Sequence, residues 1–358
     1  MDLRLALVGC GNVGRALITL AAYKEHDLRE RHNLRLRFTG GLTRAAGGWI
    51  ADEGIAAPDL SRLASPRAAW PRGAWPAEAA PGSRPFDGDA LAFIAACPAD
   101  IVIELTTLNP LTGEPALGHI RAALVAGRHV VTANKGPIAH AYRELRALAL
   151  ESGVHLRFES TVMDGTPIFN LAEFTLPATS VMSLHGPLNS TSNYVLAEMA
   201  YGKSLEDAVA SAQRMGIAEA NPDYDLEGWD AAVKVTVLSN VLMNADLRPE
   251  DVWRGGLGAK AMRAAHTANA RLRRQLTLKQ IAQARHAKNG RVEASVKLVP
   301  LPADNVFAHL ASGETALRLH TDTMRDLTLI EGKGGPSQTA FGVVADVIAI
   351  ARAMNDHA

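Results

Sequence analysis

Two charged residues interrupt an otherwise apolar segment in the second half of the chain. Residues 221–243 read NPDYDLEGWDAAVKVTVLSNVLM, and from residue 229 onward the only charged side chains are Asp230 and Lys234, four positions apart. That spacing places both on one face of a helix. A helix that is apolar all round is normally buried, and a buried ammonium is costly unless it is paired or faces a wet cavity. Lys234 is therefore a candidate catalytic residue, with a structural ion pair to Asp230 as the alternative.

A glycine-rich turn near the N-terminus predicts a dinucleotide site. An apolar run over residues 3–8 precedes the turn, and apolar residues at helical spacing follow it. In a GxGxxG turn the first glycine permits the bend, the second lets a pyrophosphate approach the backbone, and the third lets the helix pack on the strand. The candidate cofactor-binding residues are Gly9, Gly11, Asn12, Val13 and Gly14. A tight turn that binds no ligand is the alternative.

The end of the second predicted strand, residues 34–38, bears on cofactor choice. It is followed by TGGLTR at residues 39–44, which contains no Asp or Glu. NAD-specific sites usually have an acidic residue here that accepts a hydrogen bond from the ribose hydroxyl, whereas an arginine can accommodate the 2′-phosphate of NADP. Arg44 therefore predicts NADP as the preferred cofactor, with NAD as the other candidate. A solvated surface arginine is the alternative.

Two later strands end in polar residues, and another glycine-rich segment precedes the last helix. Thr106 and Thr107 follow the predicted strand 101–105, and Lys135 follows the strand 129–131. Ligands of open α/β sheets bind at the carboxyl ends of the strands, so we expect these residues to face a cofactor, although such a lysine is often merely solvated. Gly335 opens a helix predicted over residues 339–353 and is a further candidate phosphate or nicotinamide contact.

A carboxylate followed by a turn of small residues predicts a cation site. Residues 159–167 read ESTVMDGTP. Such a turn can direct several backbone carbonyls to one point, and oxygen-only coordination suits a hard cation rather than zinc. A plain turn that binds nothing is the alternative.

Composition excludes several classes of protein. The 358 residues suffice for two domains with cores, and 47% hydrophobic and 21% charged residues are ordinary for a globular protein. With 37 basic and 37 acidic residues the formal net charge is zero, so no global field attracts nucleic acid or a membrane. Cys10 and Cys97 form no disulfide framework, and we find no signal peptide or membrane span, which indicates the cytoplasm.

The remaining pattern predicts alternating helices and strands. A proline-rich stretch, residues 61–86, is interpreted as a long surface loop, because repeated prolines exclude a regular helix. Ten Lys or Arg and no acidic residue lie between Asp251 and Glu293, which we interpret as a solvated basic face rather than a polyanion site. The other predicted helices are 90–96, 115–126, 142–150, 195–199 and 205–215, and the other predicted strands are 155–158, 181–184, 293–299, 305–310, 315–319 and 327–330.

Two motifs resemble those of homoserine dehydrogenases. The segment HGPLNSTSNYVL at residues 185–196 resembles the family's Gly-x-x-Asn-Gly/Ser-Thr-Thr/Ser-Asn-Tyr/Phe loop. The segment GIAEANPDYDLEGWDAAVK at residues 216–234 is similar to its signature, Gly-Tyr-x-Glu-x-Asp-Pro-x-x-Asp-x-x-Gly-x-Asp-x-x-x-Lys. The resemblance covers nearly the whole chain and implies an α/β fold. A Rossmann-type parallel-sheet domain (1–152 and 325–358), completed by the C-terminal helix, would surround an inserted α+β substrate and dimerisation domain (153–324).

The resemblance also implies an activity and roles for residues. The reaction would be the reversible NAD(P)-dependent conversion of L-aspartate 4-semialdehyde to L-homoserine, catalysed by a cytoplasmic homodimer without a C-terminal regulatory domain or a fused kinase. Lys234 would be the general acid/base, Asp230 would hold it, and Lys135 would lie near cofactor and substrate. The implied substrate-binding residues are Glu219, which would bind the ammonium, with Asp225, Asn189 and Thr191. The turn would hold a monovalent cation such as Na⁺ through Glu159, Val162, Asp164 and Thr166.

Some positions depart from the family pattern and keep other functions open. Ile217 replaces a tyrosine, Asn221 an aspartate, Pro187 lies in the first motif, and Asp164 stands where a small residue is common. Another Rossmann oxidoreductase acting on a related amino or hydroxy acid is one alternative, and a non-catalytic nucleotide-binding protein is another. Oxidation of the aldehyde to an acyl product would need a cysteine nucleophile, and neither Cys10 nor Cys97 is well placed for that.

Overall fold

The computed structural model describes residues 1–44, 47–61, 82–218, 221–257 and 276–356. The chain divides into two compact units. The first consists of Met1–Ile168 together with the segment that begins at Gly335, and the second consists of Phe169–Gly334.

A twisted sheet forms the centre of the first unit. Its described strands are β1 (Asp2–Val8), β2 (Arg35–Thr43), β3 (Gly47–Ala56), β4 (Arg84–Phe86), β5 (Ile101–Glu104), β6 (His129–Thr132) and β7 (Leu156–Arg157). They lie in the order β4-β3-β2-β1-β5-β6-β7. Within the part β2-β1-β5-β6-β7 of this order, neighbouring strands are parallel, as a Rossmann-type sheet requires. The prediction of that sheet is confirmed.

An antiparallel edge extends the parallel sheet beyond what the sequence pattern predicted. Strand β3 pairs antiparallel with β2, and β4 pairs antiparallel with β3. Strand β4 falls inside the stretch interpreted as a loop, so that interpretation was wrong at its end, while residues 62–81 lie outside the described part of the chain. The prolines of that stretch hid the strand, because an edge strand tolerates proline such as Pro85.

Helices cover the parallel sheet. They are α1 (Asn12–Tyr23), α2 (Glu25–His32), α3 (Ala57–Ser61), α4 (Ala90–Ala96), α5 (Ala116–Val125), α6 (Lys135–Glu151) and, from the far end of the chain, α12 (Pro336–Asp356). Helix α6 begins seven residues before the predicted 142–150 helix and is irregular at Ala141, where φ is −146° and ψ is 27°.

The last helix, α12, belongs to the core of the first unit. Its buried side chains pack in the same hydrophobic cluster as Leu5 and Leu7 of β1 and Leu17 of α1. The residues that α12 contributes to this cluster are Ala340, Val343, Val344, Val347, Ile350 and Ala351. In the described chain this helix has the length and hydropathy of a membrane span. Its packed face accounts for that composition, since core helices pass the same test.

A mixed six-stranded sheet forms the second unit, in the order β13-β12-β8-β10-β11-β9. Its described strands are β8 (Val181–Gly186), β9 (Trp253–Arg254), β10 (Thr277–His286), β11 (Val292–Leu301), β12 (Thr315–Thr321) and β13 (Arg325–Glu331). Its helices are α7 (Phe169–Thr175), α8 (Ser190–Ala200), α9 (Leu205–Arg214), α10 (Asp223–Leu226) and α11 (Trp229–Leu242). The predicted α/β fold with a second, α+β part is therefore confirmed.

One prediction in this unit was wrong, and the predicted basic face does not include Lys279. Residues 305–310 were expected to form a strand, but Val306–His309 is a 3-10 helix whose first turn is capped by Asn305, since the Asn305 side chain accepts from the Phe307 N–H at 2.9 Å. The local hydrogen bond competes with strand pairing. Strand β10 occupies part of the supposed basic face, and Lys279 on it is only 2% exposed. Residues 258–275 of that face lie outside the described chain.

Candidate active site

Helix α11 presents the candidate catalytic pair. Ten of its fourteen residues are buried, which agrees with its apolar composition. Asp230 lies in its first turn, and Lys234 lies one turn later on the same face. Gly228 precedes the helix with φ of 81°, a conformation that favours glycine and turns the chain sharply from α10 into α11.

Among the described residues, a carboxylate and a carbonyl hold Lys234. Its Nζ lies 3.1 Å from Asp230 Oδ2 and donates to the Leu188 carbonyl oxygen at 2.8 Å. The side chains of Lys234 and Asp230 are 16% and 9% exposed. The ammonium is thus oriented by two fixed acceptors and still reaches solvent, as a residue that exchanges a proton must.

Asn189 joins the pair to a second carboxylate. The Asn189 Nδ2 donates to Asp230 Oδ2 and to Asp225 Oδ1, both at 2.8 Å. Its Oδ1 accepts from the Ser192 N–H at 2.7 Å and thereby caps helix α8. One buried amide therefore fixes two carboxylates and the start of a helix at once.

The second carboxylate has an altered proton affinity. Burial, and next to it repulsion from the Asp230 carboxylate, raise the pKa of Asp225. Hydrogen bonds from Thr191 and Asn189 and the charge of Lys234 oppose that rise. Perturbed carboxyl groups of this kind cluster at functional sites, although structural networks also produce them.

The predicted substrate residues are brought together to different degrees. Asn189, Thr191 and Asp225 lie around the Asp230–Lys234 pair, and the single hydroxyl hydrogen of Thr191 is shared between Asp225 and the Ile217 carbonyl, which lies 3.2 Å from Thr191 Oγ1. Glu219, the predicted ammonium ligand, lies outside the described residues.

The glycine turn of the first unit has the shape that a pyrophosphate needs. A Cβ at Gly9, where φ is +95°, would come within 2.7 Å of the Leu105 backbone, and one at Gly14 would lie 3.1 Å from the Gly9 carbonyl. At Gly11 a Cβ would meet nothing within 4 Å, so the backbone there is open to a ligand. Asn12 and Val13 open helix α1 directly after this gap. The turn therefore fits a dinucleotide phosphate.

Arg44 lies close to that turn along the sheet. The Gly9 N–H donates to the Leu42 carbonyl at 2.9 Å, and Arg44 is exposed two residues later at the turn after β2. The end of β2 is thus adjacent to the glycine turn, as in dinucleotide-binding sheets.

A buried carboxylate ties the ends of β5 and β6 together. Glu104 is 0% exposed and accepts from the Thr106 N–H at 3.0 Å, from the Thr106 hydroxyl, and from Thr132 Oγ1 at 3.2 Å. Asn134 Nδ2 donates to the Thr106 carbonyl at 3.1 Å, and the Asn134 side chain caps helix α6, in which Lys135 is the first residue. Thr107 is exposed next to this network, and Lys135 is partly exposed.

The cation candidates also lie in the first unit. Glu159 is 1% exposed, and its Oε1 accepts from the Ile168 N–H at 2.6 Å. Asp164 adopts φ of 38°, and its Oδ1 accepts from Thr339 Oγ1 at 2.9 Å. The Thr339 N–H donates to the Gly335 carbonyl at 3.0 Å. Val162 is buried, and Thr166 closes the turn by donating its N–H to the Met163 carbonyl at 2.8 Å.

Neither cysteine is suited to nucleophilic attack. Burial raises the pKa of the Cys10 thiol to about 12 and that of the Cys97 thiol to about 11. Both side chains are at most 2% exposed. Because the thiolate is the nucleophile, these buried thiols disfavour the route through an acyl-enzyme.

Sequence reasoning missed two buried charges. Glu104 ends an apolar strand, IVIE, and a single charge at the end of a fully buried strand was a signal for it. Lys279 gave no such signal, because it stood among ten basic residues that were assigned to solvent together. Both charges are buried by contacts with residues that are distant in the sequence, so the burial is seen only in the folded chain.

Known proteins resemble this chain over most of its length. A family model described as the homoserine dehydrogenase NAD-binding domain matches residues 9–159, and one described as homoserine dehydrogenase matches residues 167–348. The NAD(+)-dependent homoserine dehydrogenase of Pseudomonas canavaninivorans is 36% identical, with 98% of this chain and 96% of that protein covered.

Solved structures agree with the sequence relatives. A homoserine dehydrogenase from Thiobacillus denitrificans has a TM-score of 0.80 at 27% identity, with 99% of this chain and 74% of that chain covered. A hyperthermophilic archaeal homoserine dehydrogenase mutant in complex with NADPH has a TM-score of 0.80 at 25% identity, with 99% and 98% covered. The predicted resemblance is confirmed: the chain belongs to the homoserine dehydrogenase family of NAD(P)-dependent oxidoreductases.

Proposed function

We propose that the protein interconverts L-homoserine and L-aspartate 4-semialdehyde with Lys234 as the general acid/base. The observation that carries this proposal is the position of Lys234 Nζ, 3.1 Å from Asp230 Oδ2 and 2.8 Å from the Leu188 carbonyl oxygen, at a partly exposed place on a buried helix. A bound nicotinamide supplies the hydride chemistry, so the protein must orient one carbon and handle one proton.

The proton transfer follows from the lysine's two forms. In the reducing direction the ammonium of Lys234 donates a proton to the aldehyde oxygen as it becomes a hydroxyl. In the oxidising direction the neutral amine takes the hydroxyl proton. Asp230 orients the amine and stabilises its charged form, and Asn189 holds Asp230 in place through the hydrogen bond at 2.8 Å.

Substrate binding is proposed for the polar residues around this pair. Asp225, Asn189 and Thr191 surround the pair and would supply a carboxyl, the remaining acceptor site of the Asn189 amide oxygen, and a hydroxyl for the polar groups of homoserine. Glu219 would bind the substrate ammonium, and Lys135 would contact cofactor and substrate. These two roles rest on the family resemblance.

We propose NADP as the preferred cofactor. Arg44 follows the end of β2, and residues 39–44 contain no carboxylate to repel a 2′-phosphate. The open backbone at Gly11, with Thr106, Thr107 and Gly335, would complete the cofactor site. The relative from Pseudomonas canavaninivorans bears an NAD(+)-dependent name, so NAD is the competing cofactor.

A monovalent cation such as Na⁺ is proposed for the turn at residues 159–166. Within the described ranges no cluster of three or more His, Cys, Asp or Glu could hold a metal, so carbonyl oxygens would be the main donors. The buried Glu159 carboxylate and the carbonyls of Val162, Asp164 and Thr166 would supply them. Replacing NaCl by choline chloride at equal ionic strength should then lower the melting temperature, and an unchanged melting temperature would argue against the site.

The remaining proposals concern assembly and location. A homodimer through the second unit agrees with large apolar side chains exposed on its strands, such as Trp253 at 61% and Ile330 at 49%. Sedimentation of a single 38.1 kDa species would contradict it. A cytoplasmic location is consistent with the two free, buried thiols, and no nucleic-acid or membrane partner is proposed, given the zero net charge.

The activity and the cofactor can be tested together. Purified protein should reduce NADP when given L-homoserine, and L-serine and L-threonine should give far lower rates at equal concentration. The same assay with NAD gives the cofactor ratio. A catalytic efficiency several-fold higher with NAD would contradict the NADP proposal, and a preference for another hydroxy amino acid would replace homoserine as the substrate.

A further inference from the structure

A second lysine of the same unit is buried more deeply than Lys234. Lys279 on β10 is 2% exposed, and its Nζ donates to Asn193 Oδ1 and, at 3.4 Å, to the Leu310 carbonyl oxygen. Among the described residues it forms no ion pair within 4.0 Å. A buried ammonium with only neutral acceptors is costly, so its place in the fold needs a reason.

Asn193 connects Lys279 to a loop and to helix α8. Its Nδ2 donates to the Ala311 and Glu314 carbonyls, both at 2.9 Å, so the amide is fully engaged between the loop and the ammonium. Its backbone N–H donates to the Asn189 carbonyl at 3.2 Å, within the first turn of α8. Lys279 therefore restrains the first turn of α8 through the Asn193 side chain.

The same short segment carries the contacts of the candidate catalytic lysine. We call residues 188–193 the α8 entry segment. At one end the Leu188 carbonyl accepts from Lys234 and the Asn189 amide binds Asp225 and Asp230, and at the other end Asn193 binds Lys279. The segment thus lies between two lysines, each of which restrains one end of it.

We propose that Lys279 is a positioning residue for homoserine oxidation, which holds the α8 entry segment so that Asn189 and Leu188 orient Asp230 and Lys234. The proposal rests on the function proposed above. Among the described residues Lys279 bonds to Asn193 and Leu310, so it reaches Asn189 and Thr191 only through this segment. Its loss should therefore weaken the alignment of the proton-transfer groups and leave dinucleotide binding by the first unit unchanged.

The charge state of Lys279 gives the proposal a second readout. Burial lowers the pKa of Lys279 to about 8, and the Glu314 charge, which faces it from the loop, acts in the opposite sense. Hydrogen bonds from a charged donor are stronger than those from a neutral one. Above pH 8 the neutral amine should hold Asn193 less firmly, and the efficiency with homoserine should fall through that pH.

The test compares Lys279→Met with Lys297→Met, which removes an exposed lysine from the neighbouring strand β11. At pH 7, Lys279→Met should lower kcat/KM for homoserine about tenfold, the loss expected for one charge-assisted hydrogen bond. NADPH affinity, measured by fluorescence titration, should not change. The break near pH 8 should be present in wild type and Lys297→Met and absent in Lys279→Met.

Two further variants keep the proposal testable if Lys279→Met does not fold. Lys279→Arg keeps a charged donor at every accessible pH, so it should retain activity and lose the break near pH 8. Asn193→Ala cuts the link while leaving the lysine in place, and it should reproduce the tenfold loss. Equal efficiency and an unchanged pH profile in these variants would overturn the positioning role.

The outcomes also separate this role from the function on which it rests. A wild-type protein that does not oxidise homoserine overturns the proposed function and this role together. A wild-type protein that oxidises homoserine, beside variants of Lys279 and Asn193 with the same kinetics, overturns the positioning role alone.

Discussion

Lys234 and Lys279 lie in the same compact unit and differ in the groups that their ammonium nitrogens contact. Lys234 has a carboxylate at 3.1 Å and a side chain that is 16% exposed, whereas Lys279 is 2% exposed and donates to an amide and a carbonyl. Lys234 therefore has a counter-charge close by and lies beside solvent. The unpaired lysine loses its proton more easily, since burial lowers its pKa to about 8.

The difference separates two uses of a buried cation. In the proton exchange proposed for Lys234, Asp230 would stabilise the charged form and the exposed edge of the side chain would give the proton a path. A group that only holds the chain needs neither, and Lys279 instead spans a helix and a loop through Asn193. Among the described residues, the two lysines therefore differ both in depth of burial and in the presence of a carboxylate within 4.0 Å.

The largest effect should follow removal of the paired lysine. Lys234→Ala should lower kcat by more than about a hundredfold, the lower end of what general acid/base catalysis contributes. Circular dichroism and NADPH titration should be unchanged, because the Lys234 side chain is partly exposed and the glycine turn belongs to the other unit. Near-normal turnover with homoserine would contradict the catalytic role of Lys234, and both lysines would then be structural.

The unpaired lysine should make stability depend on pH. Its pKa falls from 10.5 to about 8 in the folded chain, so between these values the unfolded chain binds more protons. The unfolding free energy of wild type, relative to Lys279→Met, should therefore rise with pH, by about 2 kcal/mol between pH 8 and pH 10. Urea unfolding of both proteins across that range measures it. Parallel curves would mean that Lys279 keeps an ordinary pKa.

A smaller effect should follow when the paired lysine loses only its carboxylate. Asp230→Asn keeps the shape and the hydrogen bond to Asn189 but removes the charge beside Lys234. Turnover should fall about tenfold, within the usual range for loss of one charged hydrogen bond, and the pH profile of kcat should move to lower pH. A profile that stays in place would show that Asp230 orients the amine without setting its proton affinity.

The smallest effect should come from a lysine on the surface. Lys203 pairs with Glu198, and its side chain is 43% exposed. Lys203→Met should change neither turnover nor the pH dependence of stability, because exposed ion pairs contribute little. A change as large as that of Lys279→Met would mean that removal of any lysine, not burial, produces the effects.

The sequence predicted those parts of the fold in which local pattern and tertiary packing agree. The GxGxxG turn and the helix around Lys234 were predicted because the residue pattern that determines each lies within about twenty consecutive residues. The antiparallel strand β3 has no such local pattern, because consecutive residues around Trp49 are buried and do not alternate with exposed ones. Its pairing with β2 and β4 makes it a strand. The strand expected over residues 305–310 was lost to the cap from Asn305.

The candidate site was predicted by residue type, and its connections were not. Asn189, Asp225, Asp230 and Lys234 followed from motif positions. That one Asn189 amide binds both carboxylates depends on residues separated by 36 and 41 positions, which no spacing rule supplies. Lys279 reaches Asn193 across 86 positions, and Glu104 reaches Thr132 across 28, so both became visible only in the folded chain.

The place of α12 in the first core has a consequence for synthesis. Strand β1 is made first, but its hydrophobic cluster also requires Val343, Val347 and Ile350. The dinucleotide-binding half therefore cannot complete its core on the ribosome before residues 340–351 have emerged, although domains commonly fold in order of synthesis. During translation the second unit can fold before α12 is made, and until then the sheet of the first unit exposes the apolar surface that α12 covers.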